Sequence, residues 1–142
     1  MALFGNETQY SGPARSAVYR WFTDPQTRSL YRGEDRAHQS RVLVAQLRSA
    51  AARHATSAAS DLVERLRTTN DEFEQLWNAG EIGLRNSEEK HFEHPEVGTI
   101  DLYCQTALDA DTGQTLLVLT ATPGTDSAQR LRLLAVLGTY DL

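Results

Sequence analysis

The chain has 142 residues, of which 40% are hydrophobic and 23% are charged, and its formal net charge is −5. This length fits one domain with a sizeable core, and the composition is typical of a globular protein rather than a disordered one. The negative charge argues against general nucleic-acid binding, which needs a concentrated basic face. Because the sequence has no apolar stretch typical of a signal peptide or a membrane span, it predicts a cytoplasmic protein without membrane contacts.

The first predicted helix is short. Val18, Trp21 and Phe22 lie at positions i, i+3 and i+4, which is the spacing of one helical face. Asp24 is expected to end this helix, because a residue before proline disfavours the α region and Pro25 follows. The next stretch, TRSLYRGED, is predicted to be a connector or a further helical turn.

Two further helices are predicted before residue 70. The longer one runs from Ala37 to His54, and its expected buried face consists of Leu43, Leu47, Ala50 and His54. The shorter one covers roughly Asp61 to Arg67, where Leu62 and Leu66 form an apolar pair four residues apart.

The fourth helix has the clearest end signals. Thr69 is predicted to cap its first turn, and Glu72, three residues later, is expected to reach back to the amide of the capping residue. Phe73, Leu76 and Trp77 share one face, and Gly80 can supply the left-handed residue that ends the helix.

The pattern changes to strands after Gly80. EIGLRN and EEKHFEH each suit a short strand, and GTIDLYCQTA alternates, with Ile100, Leu102 and Cys104 on the inner face and Asp101, Tyr103 and Gln105 on the outer face. DADTGQ is predicted to be a turn. TLLVLTAT is apolar on both faces, which favours a central position in the sheet.

The last predicted element is a helix. Asp126 or Ser127 is expected to cap it, its apolar face includes Leu131 and Leu134, and Gly138 is expected to lie beyond its end. Helices segregated from a strand-rich stretch predict an α+β fold.

No motif predicts catalysis, a metal or a cofactor. His91 and His94 lie near two glutamates, but on a strand they point to opposite faces, so one ion could not easily bind both. Cys104 is assigned to core packing because it lies on an apolar strand face, and as the single cysteine it cannot form an intrachain disulfide. We therefore expect the protein not to be an enzyme.

Large aromatic residues occur in both halves of the chain, on helices and on a strand. They can form an ordinary core or line a ligand cavity, because pockets are themselves lined by apolar and aromatic groups. The sequence leaves both readings open for Trp21, Phe22, Tyr31, Phe73, Trp77 and Tyr103.

A resemblance to a known family rests on three motifs in order. They are a Phe-x-x-Leu-Trp helix in DEFEQLW, a Lys-x-x-x-His-Pro-x-Val-Gly turn in KHFEHPEVG, and a Pro-Gly-Thr followed by a leucine-rich helix in TPGTDSAQRLRLL. FTDP and VAQLR fit as well, so the resemblance covers nearly the whole chain. The chain resembles the ligand-binding domain of MmyB-like helix-turn-helix transcription regulators. The matching residues are Phe73, Leu76, Trp77, Lys90, His94, Pro95, Val97, Gly98, Pro123, Gly124, Thr125, Ser127, Leu131, Leu133 and Leu134.

The resemblance implies a single PAS-like domain over residues 1–142, with an antiparallel sheet, helices on one side and a pocket for a small apolar ligand such as a fatty acid. Family members tend to have a strand before the Leu-Phe-Gly that here is Leu3, Phe4 and Gly5. We therefore expect this chain to lack the family's first strand, or the strand to be supplied otherwise. An aromatic residue usual near position 38 is replaced by Ala37 or His38.

The turn motif also has a physical explanation of its own. Pro95 forces His94 toward an extended conformation, and Gly98 permits the positive φ that a tight turn can require. We therefore expect a structural role for this segment rather than ligand contact.

The functional prediction is a sensor of a small apolar ligand. Its expected pocket residues are Trp21, Phe22, Phe73, Trp77, Tyr103 and Leu117. The expected partners are that ligand, a second copy in a homodimer, and DNA only through a helix-turn-helix domain that this chain does not include. Two alternatives stay open: a dimerisation module with a filled core, and a small α+β dehydratase or isomerase, which would need a His/Asp pair inside its cavity.

Overall fold

The computed structural model describes residues 3–53, 57–84, 89–108 and 115–140. These residues form helices and an antiparallel sheet, so the chain has an α+β fold, as predicted. They divide into two compact units. We call the first the sheet unit, which comprises residues 3–6, Leu30–Arg32 and the described residues from 89 to 140. The second, the helical unit, comprises Glu7–Ser29 and the described residues from 33 to 84.

Five α-helices belong to the described part of the helical unit. Short 3-10 turns lie at Glu7–Gln9, Gly12–Arg15 and Gly33–Asp35. The helices are α1 (Ala17–Thr23), α2 (Pro25–Ser29), α3 (Arg36–Arg53), α4 (Ser57–Thr69) and α5 (Asp71–Ala79).

Helix α1 follows the sequence prediction closely. It begins at a cap in which Ser16 Oγ accepts a hydrogen bond from the Tyr19 amide at 3.3 Å. It ends at Asp24, whose extended backbone precedes Pro25 as expected. Trp21 and Phe22 are buried. The connector after Asp24 contains helix α2, which the sequence left as an alternative.

Helix α3 has nearly the predicted bounds but a different buried face. The predicted Leu47 is buried, whereas Leu43 is only half-buried, and Ser40 is almost completely buried. Hydrophobicity alone could not identify Ser40, because its burial depends on hydrogen bonds to residues far away in sequence. The predicted contribution of His54 lies outside the described residues. Helix α4 is longer than predicted, and Leu66 is its fully buried residue.

Helix α5 differs from the prediction at its start. Asn70, not Thr69, is the cap, and Asn70 Oδ1 accepts from the Phe73 amide at 2.8 Å. The Thr69 hydroxyl instead donates to the Arg65 carbonyl at 2.7 Å within α4. The predicted end is confirmed, because Gly80 has a φ of 68° in the left-handed region.

The sheet unit contains three antiparallel strands in the order β1 (Glu89–His94), β2 (Gly98–Leu108) and β3 (Thr115–Thr120). The predicted strand at EIGLRN is wrong, because Glu81–Leu84 is irregular and residues 85 and 86 lie outside the described residues. The predicted turn DADTGQ also lies outside them. The predicted central position of TLLVLTAT is wrong as well, because β3 is an edge strand of this sheet.

The alternation predicted for β2 is confirmed. Ile100, Leu102 and Cys104 are buried, and the residues between them are exposed. Ile100 lies opposite Phe92 of β1, and Cys104 lies opposite Leu119 of β3. The core of this unit is completed by helix α6 (Asp126–Tyr140), and its buried residues are Leu3, Phe92, Ile100, Leu102 and Leu134.

The ends of α6 differ from the prediction. Its first turn is capped by Thr125, whose Oγ1 accepts from the Ala128 amide at 3.2 Å, rather than by Asp126 or Ser127. The Ser127 hydroxyl instead accepts from the Asp101 amide of β2 at 3.0 Å. Gly138 lies inside the helix rather than beyond it.

The turn between β1 and β2 has the predicted backbone geometry. Gly98 has a φ of 77°, and His94 Nδ1 accepts from the Glu96 amide at 3.2 Å. His94 is buried on the inner face of β1, whereas the neighbouring His91 is half-buried on the opposite face. The two imidazoles therefore point apart, as expected.

The free side of β1 is covered by the segment Leu30–Arg32. The Arg32 amide donates to the His91 carbonyl at 3.2 Å, and the Glu93 amide donates to the Leu30 carbonyl at 2.7 Å. Tyr31 pairs with Phe92, and the centroids of their rings are 5.0 Å apart.

Among the described helices, none has the length and apolar character that crossing a membrane requires.

Candidate functional site

A closed ring of hydrogen bonds joins four residues of the helical unit. Trp21 Nε1 donates to Ser40 Oγ at 2.8 Å, and Ser40 Oγ donates to Glu72 Oε1 at 2.9 Å. Arg28 completes the ring, because its Nη2 donates to Glu72 Oε2 and its Nε donates to the Trp21 carbonyl, both at 2.7 Å. This ring fixes α1, α2, α3 and α5 against each other, and it occupies the indole N–H of Trp21.

The same arginine lies over two aromatic rings. The Arg28 guanidinium carbon is 5.1 Å from the ring centroid of Trp21 and 5.3 Å from that of Phe22. These distances are typical of cation–π contacts. Arg28 therefore supports the aromatic core through its charge as well as through its hydrogen bonds.

A series of aromatic rings leads from this core to a cleft. Phe22 meets Phe73 edge to face with centroids 5.1 Å apart, and Phe73 stacks on Trp77 at 5.8 Å with an interplanar angle of 21°. Phe22 and Phe73 are buried, whereas Trp77 is half-buried. Trp77 is thus the member of the series whose ring is accessible to a ligand.

Arg48 of α3 holds Trp77 in place. Its guanidinium carbon is 4.6 Å from the Trp77 ring centroid, and its Nη2 donates to the Trp77 carbonyl. Its Nη1 donates to the Glu81 carbonyl at 3.0 Å. Since Trp77 lies in the last turn of α5, the positive guanidinium also suits the negative end of the helix dipole.

An ion pair beside Arg48 joins the segment after α5 to α3. Arg41 Nε and Nη2 donate to the two carboxylate oxygens of Glu81 at 2.7 and 2.9 Å. These hydrogen bonds lower the pKa of Glu81 below its ordinary value. The fork-to-fork geometry fixes the chain that follows Trp77.

A cleft of about 570 Å³ lies among α3, α4 and α5. Its volume falls within the roughly 300–1,000 Å³ range of small-molecule sites. Helix α4 contributes one face at i, i+3, i+4 and i+7 spacing, and α5 contributes two residues one turn apart. The lining residues are Ala51, Ser60, Val63, Glu64, Arg67, Thr68, Glu74 and Trp77.

A hydrogen-bonded ion pair forms the polar part of the cleft wall. Arg67 Nε and Nη2 donate to Glu74 Oε2 and Oε1 at 2.7 and 3.0 Å, and Asn78 Nδ2 donates to Glu74 Oε1 at 2.9 Å. The hydrogen bond from Arg67, followed by that from Asn78, lowers the pKa of Glu74 to about 2. Glu74 is therefore ionised at neutral pH and holds the Arg67 guanidinium at the wall.

The residues that the sequence predicted for the pocket belong to both units. Trp77 lines the cleft, and Phe22, Phe73 and Trp21 form the buried support behind it. Tyr103 and Leu117 belong to the sheet unit, where they lie on opposite faces of the sheet, because Tyr103 is opposite Thr120 and Leu117 is opposite Thr106.

The α4 wall of the cleft was not predicted from the sequence. Its residues Ser60, Val63, Glu64 and Arg67 have the i, i+3, i+4 and i+7 spacing of one helical face, which is visible in the sequence. It was missed because the expectation was restricted to aromatic residues. Ala51 also lines the cleft, and its small side chain leaves room for a ligand. The sequence could not single out Ala51, because the neighbouring residues Ala50 and Ala52 are also alanines.

The histidine and cysteine side chains of the described residues lie outside the lining of the cleft. They contain no group of three or more His, Cys, Asp or Glu side chains placed to hold a metal ion. Cys104 is buried in the sheet unit, in accord with the predicted packing role. His91 Nδ1 lies 2.7 Å from Asp101 Oδ1 on the sheet surface, so this His/Asp pair does not line the cleft.

The comparisons with known proteins identify a family. No curated protein and no solved structure matches the chain significantly. The family model described as the MmyB-like transcription regulator ligand binding domain matches residues 1–134, which is most of the 142-residue chain. The resemblance read from the sequence motifs is thereby confirmed, and the chain belongs to the family of MmyB-like transcription regulator ligand-binding domains.

Proposed function

We propose that this domain senses one small, mainly apolar molecule of the fatty-acid type, bound in the cleft among α3, α4 and α5. The observation that carries the proposal is the accessible ring of Trp77 in a cleft of about 570 Å³ within a ligand-binding domain. A flat aromatic wall offers a large apolar contact area to an alkyl chain at low entropic cost.

The walls of the cleft suit an amphipathic ligand. Ala51, Val63 and Trp77 provide apolar surface, and Arg67 provides a cation at the same wall. A carboxylate can share the Arg67 guanidinium with Glu74, because a guanidinium has five N–H donors and Glu74 accepts from only two of its nitrogens. The proposed ligand therefore places its chain against Trp77 and its head group near Arg67.

Binding has a consequence only if it favours one state of the regulator over another. In our proposal a ligand in the cleft links α4 and α5 to α3, and this stabilises one arrangement of a homodimer. A linked helix-turn-helix domain reads that arrangement on DNA in the cytoplasm. This domain contributes the ligand binding and the association between copies.

The proposal is tested by titrating the protein with decanoate while recording tryptophan fluorescence. Trp77 lines the cleft, so we expect a saturable change in emission. Ala51→Phe fills the cleft and is expected to weaken binding by more than about tenfold. Ala52→Phe is the matched control, because Ala52 is the next residue of α3 and is exposed outside the cleft. A titration without saturation, or equal weakening by both variants, would contradict the proposal.

A further inference from the structure

The charges that line the cleft do not balance. Among the described lining residues, two are acidic and one is basic. Glu74 and Arg67 neutralise each other, because Arg67 Nε and Nη2 donate to the two oxygens of the Glu74 carboxylate. Glu64 is the remaining acidic residue, and it lies on α4 about one helical turn before Arg67. The cleft wall therefore combines a satisfied ion pair with one further carboxylate.

Glu64 provides an acceptor that the described side chains do not use. Its backbone carbonyl accepts from the Thr68 hydroxyl at 3.0 Å, which leaves the side chain uninvolved. Within the described residues, the Glu64 carboxylate has neither a hydrogen-bond partner nor an ion-pair partner. An ionised carboxylate accepts hydrogen bonds and donates none. A ligand at this wall thus meets N–H donors from Arg67 and a separate acceptor from Glu64.

The spacing of Glu64 and Arg67 suits two polar groups that lie close together on one ligand. Residues three apart on a helix have Cβ atoms about 5–6 Å apart. Arg67 Nη1 stays available for a ligand, because Glu74 accepts only from Nε and Nη2. A carboxylate on Nη1 and a hydroxyl two carbons along the same chain can therefore contact both residues at once.

We propose that the ligand of the cleft is a fatty acid with a hydroxyl group near its carboxylate, and that Glu64 selects this hydroxyl. The inference rests on the function proposed above and names the ligand class more closely. The ligand carboxylate accepts from Arg67, and the ligand hydroxyl donates to the Glu64 carboxylate. The alkyl chain lies against the ring of Trp77.

Electrostatics favours this ligand over an unsubstituted fatty acid. A bare carboxylate beside Arg67 lies close to the carboxylate of Glu64, and two like charges at short range repel. A hydroxyl on the ligand donates to Glu64 instead, and a hydrogen bond to an ionised acceptor is stronger than one between neutral groups. Glu64 therefore disfavours the unsubstituted acid and stabilises the hydroxylated one, which is how a binding site becomes selective.

The inference is tested by titrating wild-type protein with 3-hydroxydecanoate and with decanoate while recording tryptophan fluorescence. The two acids share chain length and charge, so the ratio of their dissociation constants isolates the effect of the hydroxyl. We expect 3-hydroxydecanoate to bind about five- to tenfold more tightly, which is the range of a single hydrogen bond. Equal affinities would overturn the inference, and so would tighter binding of decylamine than of either acid.

Two variants of Glu64 and one control locate the selectivity. Glu64→Ala is expected to reduce the ratio of dissociation constants to about one, and Glu64→Gln, which keeps an acceptor, to retain part of it. Both variants preserve the core, because Glu64 is exposed. Asp61→Ala is the matched control, since it removes the same charge from α4 and Asp61 is not among the described residues that line the cleft. An equal fall in the ratio for Asp61→Ala and Glu64→Ala would overturn the role of Glu64.

Failure of this inference is distinguishable from failure of the proposed function. Saturable decanoate binding that Ala51→Phe weakens, without a preference for the hydroxylated acid, would support the proposed function and overturn the assignment of the hydroxyl to Glu64. Binding of neither acid would overturn both.

Discussion

The indole nitrogen of Trp21 donates to the hydroxyl of Ser40 at 2.8 Å, and both residues are buried in the helical unit. The same Ser40 hydroxyl donates a second hydrogen bond, to Glu72 Oε1 at 2.9 Å. A small polar residue on α3 thus connects the aromatic residue of α1 to the carboxylate of α5. The position of the Phe22, Phe73 and Trp77 rings depends on the helices that this connection joins.

Ser40→Ala should destabilise the protein by about 1–3 kcal/mol, because it leaves the buried N–H of Trp21 without its partner. Urea unfolding followed by circular dichroism measures the change in free energy of unfolding. Ser49→Ala on the exposed side of α3 is the control and is expected to have little effect. If the two variants unfold at the same urea concentration, the hydrogen-bonded ring does not stabilise the fold as described.

The glycine of the β1–β2 turn gives a second prediction. Gly98→Ala should cost about 1–2 kcal/mol, because an L-residue is strained at a φ of 77°. The nearest atom to an added Cβ is Arg130 Nη1 at 3.8 Å, an ordinary contact, so the cost arises from the backbone. Gly33→Ala is the control, because Gly33 lacks a positive φ and its added Cβ meets nothing within 4 Å. Equal thermal stability of the two variants would refute the explanation.

The ion pair between Arg67 and Glu74 predicts a low pKa for the Glu74 carboxyl group. The pKa of Glu74 is lowered from 4.5 to about 2, mainly by the hydrogen bond from Arg67. A carboxyl titration followed by NMR should therefore give a midpoint near 2 in the wild type, and Arg67→Ala should move it back toward 4.5. Since the folded-state pKa is the lower one, the stabilising effect is present above pH 4.5 and is lost as the pH falls toward 2. A wild-type midpoint near 4.5 would show that the pair does not form in solution.

The raised pKa of Tyr31 predicts that the free energy of unfolding decreases at alkaline pH. Burial, with a smaller effect of Cys104, raises the pKa of Tyr31 from 10.0 to about 12. The folded state retains this proton longer than the unfolded state, so the stability that it provides is lost as the pH rises from 10 toward 12. Tyr31→Phe cannot ionise, and its free energy of unfolding should fall less steeply over this range. Parallel stability curves for wild type and variant would contradict the burial of the hydroxyl.

The sequence predicted those features that depend on local rules. The alternation of Ile100, Leu102 and Cys104 marked β2 correctly, because only one face of the strand is buried. The stop at Gly80 was predictable because a helix end favours a left-handed residue. The family was recognisable because its motifs combine such local features in a fixed order.

Features that depend on distant partners were not predictable in the same way. Asn70 and Thr69 are both good caps, and the side chain of Asn70 is held in place by donating to the Phe22 carbonyl at 2.7 Å. Glu72 matches a capping box, but it binds Ser40 and Arg28 instead. For β3, two apolar faces favoured a central strand, whereas the strand order places β3 at an edge of the described sheet.

The central claim is that the cleft beside Trp77 holds a small apolar molecule, and native mass spectrometry of the purified protein tests it most directly. We predict that wild type and Ala52→Phe retain one such molecule per chain, either from expression or after addition of decanoate, and that Ala51→Phe retains much less. Denaturing extraction would then identify the class of the bound molecule. Protein that carries no molecule and takes up no decanoate, or equal uptake by the Ala51 and Ala52 variants, would contradict the claim.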